Sequence, residues 1–154
     1  MVKKPDKAFR LPQIYQLGYV VADVEKAARH YESTFDIGPF SGPIVVPMKK
    51  AVLMGRTVDT RIKTMFAKSG DVQIELIQPL DGNNPYTEFL EKRGEGIHHL
   101  GFKVDDMEQA KAGLARKGLQ PFFSCDLVVM KFAYYDTAEY GGLALELLWG
   151  QTEI

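Results

Sequence analysis

The chain has 154 residues and a formal net charge of −1, with 45% hydrophobic and 25% charged residues. This length and composition suit one globular domain with a hydrophobic core. A charge so close to zero does not attract nucleic acid or an anionic membrane, so neither is predicted as a partner. No apolar run reaches the roughly 18 residues of a membrane span, and no secretory signal is recognisable. The single cysteine, Cys125, excludes an intrachain disulfide, and a cytoplasmic protein is expected.

The first half of the chain is predicted to contain a strand, a helix and three further strands. Residues 14–21 are rich in β-branched and aromatic side chains, as strands are. Apolar residues at helical spacing follow Asp23, which can cap a helix, and Gly38 with Pro39 would end that helix. The three further strands are two within residues 43–68, joined near Gly55 or Asp59, and one at residues 71–78.

The middle of the chain is predicted to be a connector with a short helix of its own. Asn84 can act as the N-cap of this helix, Pro85 suits its first position, and Gly94 would end it. No segment of low complexity suggests a second domain. The prediction is therefore a single domain over residues 1–154, composed of a module at 12–80, a connector at 81–95 and a module at 96–150.

The second half is predicted to repeat the element order of the first. Asp106 and Gln109 are spaced as a capping box for a helix over residues 107–117, and Gly118 would end it. Strands are predicted at residues 97–104, near 120–124, and at 128–135 and 143–148.

The two halves also share a sequence repeat. YQLGYVVADVEKA at residues 15–27 matches HHLGFKVDDMEQA at residues 98–110, and VQIELI around Glu75 matches LALELL around Glu146. An internal repeat indicates one supersecondary unit used twice, whose two copies bury their apolar faces on each other. Polar residues at equivalent positions are therefore expected to converge.

Glu75 and Glu146 attract attention because each lies among apolar residues in a predicted strand. A buried carboxylate without a partner is unfavourable, and proteins avoid it by pairing, protonation or metal coordination. One such glutamate can face solvent on an edge strand. Two glutamates at equivalent positions favour a shared role inside the fold.

His99 and Gln16 are the other polar residues at equivalent positions of the repeat. Side chains alternate along a strand, so His98 and His99 are predicted on opposite faces, with only one of them pointing inward. A lone strand histidine is more often structural than a ligand, but its polar repeat partner Gln16 favours His99 as the functional residue. The amide oxygen of Gln16 can also coordinate a cation.

Together Gln16, Glu75, His99 and Glu146 supply three oxygen donors and one nitrogen donor. This set differs from that of structural zinc, which prefers thiolate and imidazole ligands in a closed tetrahedron. It suits one five- or six-coordinate divalent ion, namely Zn²⁺, Ni²⁺, Co²⁺, Mn²⁺ or Fe²⁺, with water in the open positions. Open positions indicate catalysis, so the four residues are predicted to be the ligands of a catalytic metal.

The segments IYQLGYVVADVEKAARHY, VQIELIQPL and GIHHLGFKVDD resemble those of the vicinal oxygen chelate superfamily. That superfamily includes glyoxalase I, methylmalonyl-CoA epimerase, extradiol dioxygenases and antibiotic-resistance proteins. The resemblance implies an α+β fold of two tandem β-α-β-β-β modules, whose curled mixed sheet surrounds one metal. It places the ligands at Gln16, Glu75, His99 and Glu146. Relatives often dimerise, so a homodimer is expected, with modules paired within one chain or between two.

Several departures from the family patterns bear on the chemistry. Epimerases usually carry histidine where Gln16 stands, and the ligand set here resembles that of some glyoxalase I enzymes. Those enzymes bind glutathione with an arginine four residues after the first ligand, where this chain has Val20. The additional catalytic glutamate of epimerases has no match in the stretch TRIKTMF. Ring-cleaving dioxygenases typically use two histidines and one carboxylate, whereas this chain has one histidine at a ligand position.

The sequence therefore predicts a metal-dependent isomerase or lyase of the glyoxalase I or acyl-CoA epimerase type. Its substrate is expected to be a small molecule with carbonyl or carboxylate oxygens. A proton would leave the carbon next to the carbonyl through a metal-stabilised enediolate. Glu146 is the preferred base, with Glu75 on the opposite face.

Two alternatives remain open at this point. The first is a non-catalytic small-molecule binding or resistance protein, whose cavity would be lined by aromatic residues of the second half. The second, ranked lower because of the ligand set, is a metal-dependent oxygenase. The aromatic residues in question are Phe122, Phe123, Phe132, Tyr134 and Tyr135.

Overall fold

The computed structural model describes residues 9–137, 139 and 142–152. Within these residues, eight strands and three helices follow one another in the predicted order, with a helix between the two halves. In chain order they are β1 (Gln16–Val20), α1 (Val24–Phe35), β2 (Ser41–Leu53), β3 (Arg56–Ser69), β4 (Val72–Asp81), α2 (Pro85–Arg93), β5 (Gly96–Lys103), α3 (Met107–Ala115), β6 (Phe123–Asp126), β7 (Met130–Asp136) and β8 (Ala144–Gly150).

The strands form one closed barrel in the order β1-β4-β3-β2-β6-β7-β8-β5. In each half the first and last strands pair in parallel, as β1 with β4 and β5 with β8. The halves join through two antiparallel contacts, β1 with β5 and β2 with β6. This mixed, curled sheet confirms the predicted α+β fold, and its two halves pair with each other within one chain.

The three helices begin where their capping residues predict. The side chains of Asp23, Asn84 and Asp106 accept hydrogen bonds from backbone N–H groups in the first turn of α1, α2 and α3, at 2.8–3.0 Å. These bonds satisfy donors that the helix itself leaves free. The helix ends agree less closely with the prediction. Helix α1 ends at Phe35, before Gly38, because Asp36 takes a left-handed conformation with φ 56°.

The predicted strand boundaries hold except near residue 120. The turn between β2 and β3 lies at Gly55, one of the two predicted positions. The predicted strand near 120–124 is displaced, because β6 begins only at Phe123. Only Val52 and Leu53 of β2 pair with β6, so this side of the barrel is closed by a short ladder.

A bulge in β5 overturns the prediction that only one of the two histidines points inward. Gly18 pairs with His99 while Tyr19 pairs with Ile97, which leaves His98 as an extra residue opposite β1. A bulge interrupts the alternation of side chains along a strand. Both histidine side chains are consequently buried, and both rings contact Tyr134 inside the barrel.

The barrel interior and its outer face have separate hydrophobic cores. The interior core includes Val20, Met48, Ile62, Phe123 and Phe132. The other two cores include residues of α3 and α1 together with barrel residues. None of the helices among the described residues is long and apolar enough to span a membrane.

Candidate active site

Four neighbouring strands carry the four predicted site residues. Gln16 lies on β1, Glu75 on β4, His99 on β5 and Glu146 on β8, and these strands are consecutive in the barrel in the order β4-β1-β5-β8. The residues Gln16, His99 and Glu146 are at most 3% exposed, and the side chain of Glu75 is 13% exposed. The fold therefore brings together all four residues that the repeat selects.

The donor atoms of these residues lie within contact distance of one another. His99 Nε2 is 2.8 Å from Gln16 Oε1, 3.6 Å from Glu75 Oε2 and 3.5 Å from Glu146 Oε2. The same Gln16 atom position is 3.1 Å from Glu75 Oε2 and 3.2 Å from Glu146 Oε1. Two oxygens and an imidazole nitrogen thus surround the Gln16 amide at short range.

Two glycines of the repeat make room for these side chains. Gly18 pairs with Glu75 on one side and His99 on the other, and a Cβ at Gly18 would lie 2.0 Å from His99 Cε1. Gly101 pairs with Gln16 and Glu146, and a Cβ there would lie 3.0 Å from Gln16 Cβ. The glycine of each half therefore leaves space for a candidate ligand of the other half: Gly18 for His99, and Gly101 for Gln16.

A chain of amides orients the Gln16 side chain. Gln73 Nε2 donates to the backbone carbonyl of Thr152 at 2.9 Å, and Gln16 Nε2 donates to Gln73 Oε1 at 2.7 Å. The reverse orientation of Gln16 would give its nitrogen bonds to both glutamates, but it would set the Gln16 and Gln73 oxygens against each other. Since the Thr152 carbonyl only accepts, the relay favours the orientation in which the Gln16 oxygen faces the site.

Burial alters the protonation of both glutamates. It raises the pKa of Glu75 to about 8. It also raises the pKa of Glu146 well above the ordinary range, with repulsion from Glu75 adding to the effect and a hydrogen bond with Tyr134 opposing it. Among the described residues, no lysine or arginine contributes to either shift. Without a cation to balance them, both carboxyl groups therefore favour their protonated, neutral forms.

The two histidines are neutral at physiological pH. Burial, followed by the neighbouring His98, lowers the pKa of His99 well below its usual value. Burial and the charge of Arg93 lower the pKa of His98 to about 4. The Nδ1 atoms of the two rings are 3.1 Å apart, so one donates to the other. When His98 donates to His99 Nδ1, the Nε2–H of His99 donates to the Gln16 oxygen at 2.8 Å. When His99 instead donates through Nδ1, its Nε2 carries a lone pair that can coordinate a cation.

The donor set fits a divalent metal ion. Metal–ligand bonds of about 2.0–2.2 Å place neighbouring donors about 3.0–3.5 Å apart, and the contacts around Gln16 and His99 lie close to that range. Without the amide, the histidine and glutamates of the described residues are not spaced as a metal cluster. Gln16, whose amide contacts the other three groups, is the residue that would complete a metal-binding set.

A small cavity adjoins these residues inside the barrel. Its volume is about 50 Å³, and Gln16, Glu75 and Glu146 form part of its wall. The rest of the wall is mainly apolar, with Thr64, Thr152 and the hydroxyl-bearing rings of Tyr86 and Tyr134 as polar additions. A space of this size accepts a few water molecules or a small chemical group.

Sequence reasoning overlooked Gln73, Thr64 and Tyr86 and did not assign Tyr134 to the site. Tyr134 pairs with Glu146 across β7 and β8, its ring lies 5.0 Å from that of His99, and its hydroxyl is 2.7 Å from that of Tyr86. Its position opposite a predicted ligand was the available signal. The roles of Gln73 and Thr64 depend on contacts between distant strands, which the sequence pattern does not specify.

The five aromatic residues proposed as a cavity lining do not form one surface. Phe123, Phe132 and Tyr134 belong to the interior core, and Phe132 and Tyr134 border the small cavity. Tyr135 instead packs in the core that includes α3. Phe122 packs against the interior core and borders a separate surface pocket. Alternation along β7 explains the division between Tyr134 and Tyr135.

Sequence comparison identifies the class of protein to which this fold and site correspond. The model of the Glyoxalase/Bleomycin resistance protein/Dioxygenase superfamily matches residues 15–127. The chain therefore belongs to this superfamily, as its sequence motifs predict.

Particular relatives divide between proteins of unassigned role and epimerases. The chain is 27% identical over 135 residues to the uncharacterised protein YqjC of Bacillus subtilis, covering 85% of this chain and 87% of that protein. It is 26% identical over 113 residues to the mitochondrial methylmalonyl-CoA epimerase of Mus musculus, covering 73% of this chain and 57% of the epimerase.

Solved structures share the fold at lower identity. The hypothetical protein BH1468 of Bacillus halodurans superposes with a TM-score of 0.67 at 21% identity, covering 92% of this chain and 96% of that one. The methylmalonyl-CoA epimerase of Mycobacterium tuberculosis gives a TM-score of 0.66 at 22% identity, with coverages of 91% and 89%.

Proposed function

We propose that this protein is a metal-dependent isomerase or lyase that removes a proton from the carbon next to a carbonyl group. One observation carries the proposal: Glu75 and Glu146 are buried beside a neutral His99, and no protein cation among the described residues compensates them. Carboxylates in such surroundings suit proton transfer at a carbon acid or coordination of a metal. The proposed reaction uses the two carboxylates both for proton transfer and for coordination of the metal.

Gln16, Glu75, His99 and Glu146 would hold the metal, with Zn²⁺, Ni²⁺, Co²⁺, Mn²⁺ or Fe²⁺ compatible with their donors. When bound, such an ion stabilises negative charge that develops on a substrate oxygen. The neutral imidazole of His99 would offer its Nε2 lone pair in the tautomer that is protonated at Nδ1, and the Gln73 relay holds the Gln16 oxygen toward the same point.

Glu146 is the preferred base for the proton on the α-carbon. It is more buried than Glu75, and Tyr134 lies opposite it on the neighbouring strand. Glu75 lies on β4, on the other side of the β1–β5 pair. Two carboxyl groups on different strands beside one cavity suit a reaction in which one group removes a proton and the other returns it.

The relatives support an acyl-CoA substrate. Methylmalonyl-CoA epimerases recur among the matched sequences and structures, and one neighbouring structure holds methylmalonyl-CoA. In such a thioester the acidic carbon lies between two carbonyl groups, and only its small acyl end could enter the small cavity beside Glu75 and Glu146. We therefore propose a 2-substituted malonyl thioester as the substrate class, with the bulk of the thioester outside the barrel.

The test is proton exchange in D2O. Purified protein is loaded separately with each of the five metals and incubated with methylmalonyl-CoA, and deuterium at the α-carbon is followed by NMR. Wild-type protein should catalyse exchange, whereas Glu146→Gln should lose at least about a hundredfold in rate, as expected for loss of a general base. Glu91→Gln, which changes an exposed carboxylate on α2, is the matched control and should behave as wild type.

Each alternative predicts a different outcome of the same experiment. Full exchange by Glu146→Gln with metal still bound would show that Glu146 is not the base. Exchange that survives removal of all metal would contradict a metal-dependent reaction. Turnover that requires oxygen would identify an oxygenase, and tight binding of small molecules without metal or turnover would identify a sequestering protein.

A further inference from the structure

Thr64 carries a buried hydroxyl group without a hydrogen-bond partner. The residue lies in β3, paired with Ile44 on β2 and Ile77 on β4, and it is 1% exposed. Its Oγ1 is the one buried side-chain oxygen or nitrogen in the described part of the chain that has no partner. Such groups are rare because they lose their bonds to water and gain nothing in return.

A second threonine on the same strand shows the ordinary arrangement. Thr60 is also buried, but its hydroxyl donates to the backbone carbonyl of Asp81 and accepts from the Asn84 side chain. The fold thus satisfies a buried threonine in β3 where the hydroxyl serves structure. Thr64 differs because its neighbours in the barrel provide no such bond.

The unpartnered hydroxyl of Thr64 belongs to the candidate active site. Thr64 lines the small cavity that Glu75 and Glu146 also border. The other hydroxyl groups of this wall are already paired, since Tyr86 bonds to Tyr134 and the Thr152 hydroxyl donates to Tyr15. Beyond the four candidate ligands, Thr64 is therefore the polar group of the described cavity wall that is free to bind an incoming molecule.

We propose that the Thr64 hydroxyl donates a hydrogen bond to an acyl oxygen of the bound substrate and thereby determines specificity for an acidic substrate. The proposal rests on the proposed function and names one contact within it. Thr64 lies on β3, the neighbour of the strand that carries Glu75, so a donor here favours one orientation of an acyl group in the cavity. The small volume of the cavity restricts this contact to a compact group such as a carboxylate or a thioester carbonyl.

The test compares Thr64→Val with Thr64→Ser in the metal-loaded protein. Valine has nearly the shape of threonine and lacks the hydroxyl, whereas serine keeps it. Binding of malonate and of methylmalonyl-CoA is measured by titration calorimetry, and thermal unfolding is measured without either probe. Thr64→Val should bind about ten- to a hundredfold more weakly, the usual loss for a bond to a charged acceptor, and Thr64→Ser should remain close to wild type.

Thermal unfolding separates a binding role from a structural one. Because the hydroxyl is unsatisfied in the free protein, Thr64→Val should keep or raise the Tm. Thr60→Val is the matched control: it removes a satisfied hydroxyl from the same strand, so it should lower the Tm and leave the affinity unchanged. A lower Tm for Thr64→Val, or unchanged affinity for both probes, would overturn the proposal.

Failure of the proposed function gives a different result. Wild-type protein that binds neither probe and exchanges no proton would contradict the epimerase-like activity. In that case the thermal data still decide whether Thr64 is structural, because they require no ligand.

Discussion

At the scale of single residues, the two buried glutamates dominate the interior of the barrel. Burial raises the pKa of each, and the neutral His99 between them does not balance their charge. Without metal, protonation is the remaining way to reduce the cost of burying them. Their state is therefore linked to the stability of the fold as well as to its chemistry.

This linkage predicts that the metal-free protein loses stability as the pH rises from about 6.5 to 8. The pKa of Glu75 is about 8 in the fold, against 4.5 as its ordinary value, so unfolding releases a proton in this window and rising pH favours unfolding. His98 has the opposite effect, but only between about pH 4 and 6.5. Urea unfolding of the wild type and of Glu75→Gln at pH 6.5 and 8 measures the effect.

Glu75→Gln should show a smaller decrease in the free energy of unfolding across that window. Added metal should stabilise the wild type more at pH 8 than at pH 6.5, because the carboxylate that it pairs with is then ionised. Identical pH dependence of the two proteins would contradict the raised pKa of Glu75.

A second prediction concerns Gln73, which does not face the cavity but directs the Gln16 amide. Gln73→Leu removes the acceptor that holds the Gln16 nitrogen, so the amide oxygen is no longer held toward the site. Loss of such a supporting bond typically lowers metal affinity by about 10- to 100-fold. Competition with a chelating dye measures this affinity, and Gln151→Leu, an exposed substitution near Thr152, is the control.

A Gln73→Leu protein that binds metal as tightly as the Gln151→Leu control would show that the relay has no positioning role.

The repeat made four candidate site residues predictable from the sequence, because it marks equivalent positions in the two halves. They are Gln16, Glu75, His99 and Glu146. Gln73 was not predictable, because its role depends on a contact with Thr152, which lies far away in the chain and outside the repeat pattern.

At the scale of the elements, the β1–β5 pair determines the geometry of the site. Gly18 and Gly101 lie in these two strands, and each is opposite a polar residue of the partner strand. The bulge at His98 turns both histidines toward the interior. Strand β5 therefore carries both the His99 ring and the His98 ring that is hydrogen-bonded to it.

Gly18→Ala should disrupt the site because the new methyl group would lie 2.0 Å from the His99 ring. Overpacking of this kind usually costs about 1–3 kcal/mol, and here it also displaces a proposed metal ligand. Gly96→Ala is the matched control in β5, since a Cβ there meets open space. Metal affinity and urea unfolding are measured for both variants, and equal values for the two would refute the steric role of Gly18.

The same elements show how far sequence patterns reach. Helix starts were predictable because Asp23, Asn84 and Asp106 act through bonds within one turn. The inward turn of His98 was not, because a bulge is a property of two paired strands, and the pairing of β1 with β5 cannot be read from alternation in β5 alone. The place of β6 likewise depends on where β2 meets it.

At the scale of the whole molecule, closure of the barrel within one chain makes the site self-sufficient. The β1–β5 and β2–β6 contacts join the two halves without a second copy. All four candidate ligands consequently come from one polypeptide. The sequence left open whether the modules pair within a chain or between chains, because the repeat is compatible with either arrangement.

This closure predicts one metal ion per chain whatever the state of assembly. Metal content by elemental analysis and mass by light scattering are compared over a wide range of protein concentration. The ratio should stay near one per chain even where the protein is monomeric, since dilution removes no ligand. Loss of metal in step with dissociation of a dimer would instead indicate that the modules are exchanged between two chains.

The reciprocal placement of Gly18 and Gly101 has a consequence for how this chain can change over time. In a duplicated unit, each copy is ordinarily free to diverge once the other preserves the original role. Here the glycine of one copy clears the volume filled by the polar side chain of the other. Substitutions at these positions are therefore sterically coupled: a larger residue at position 18 requires a smaller one at position 99.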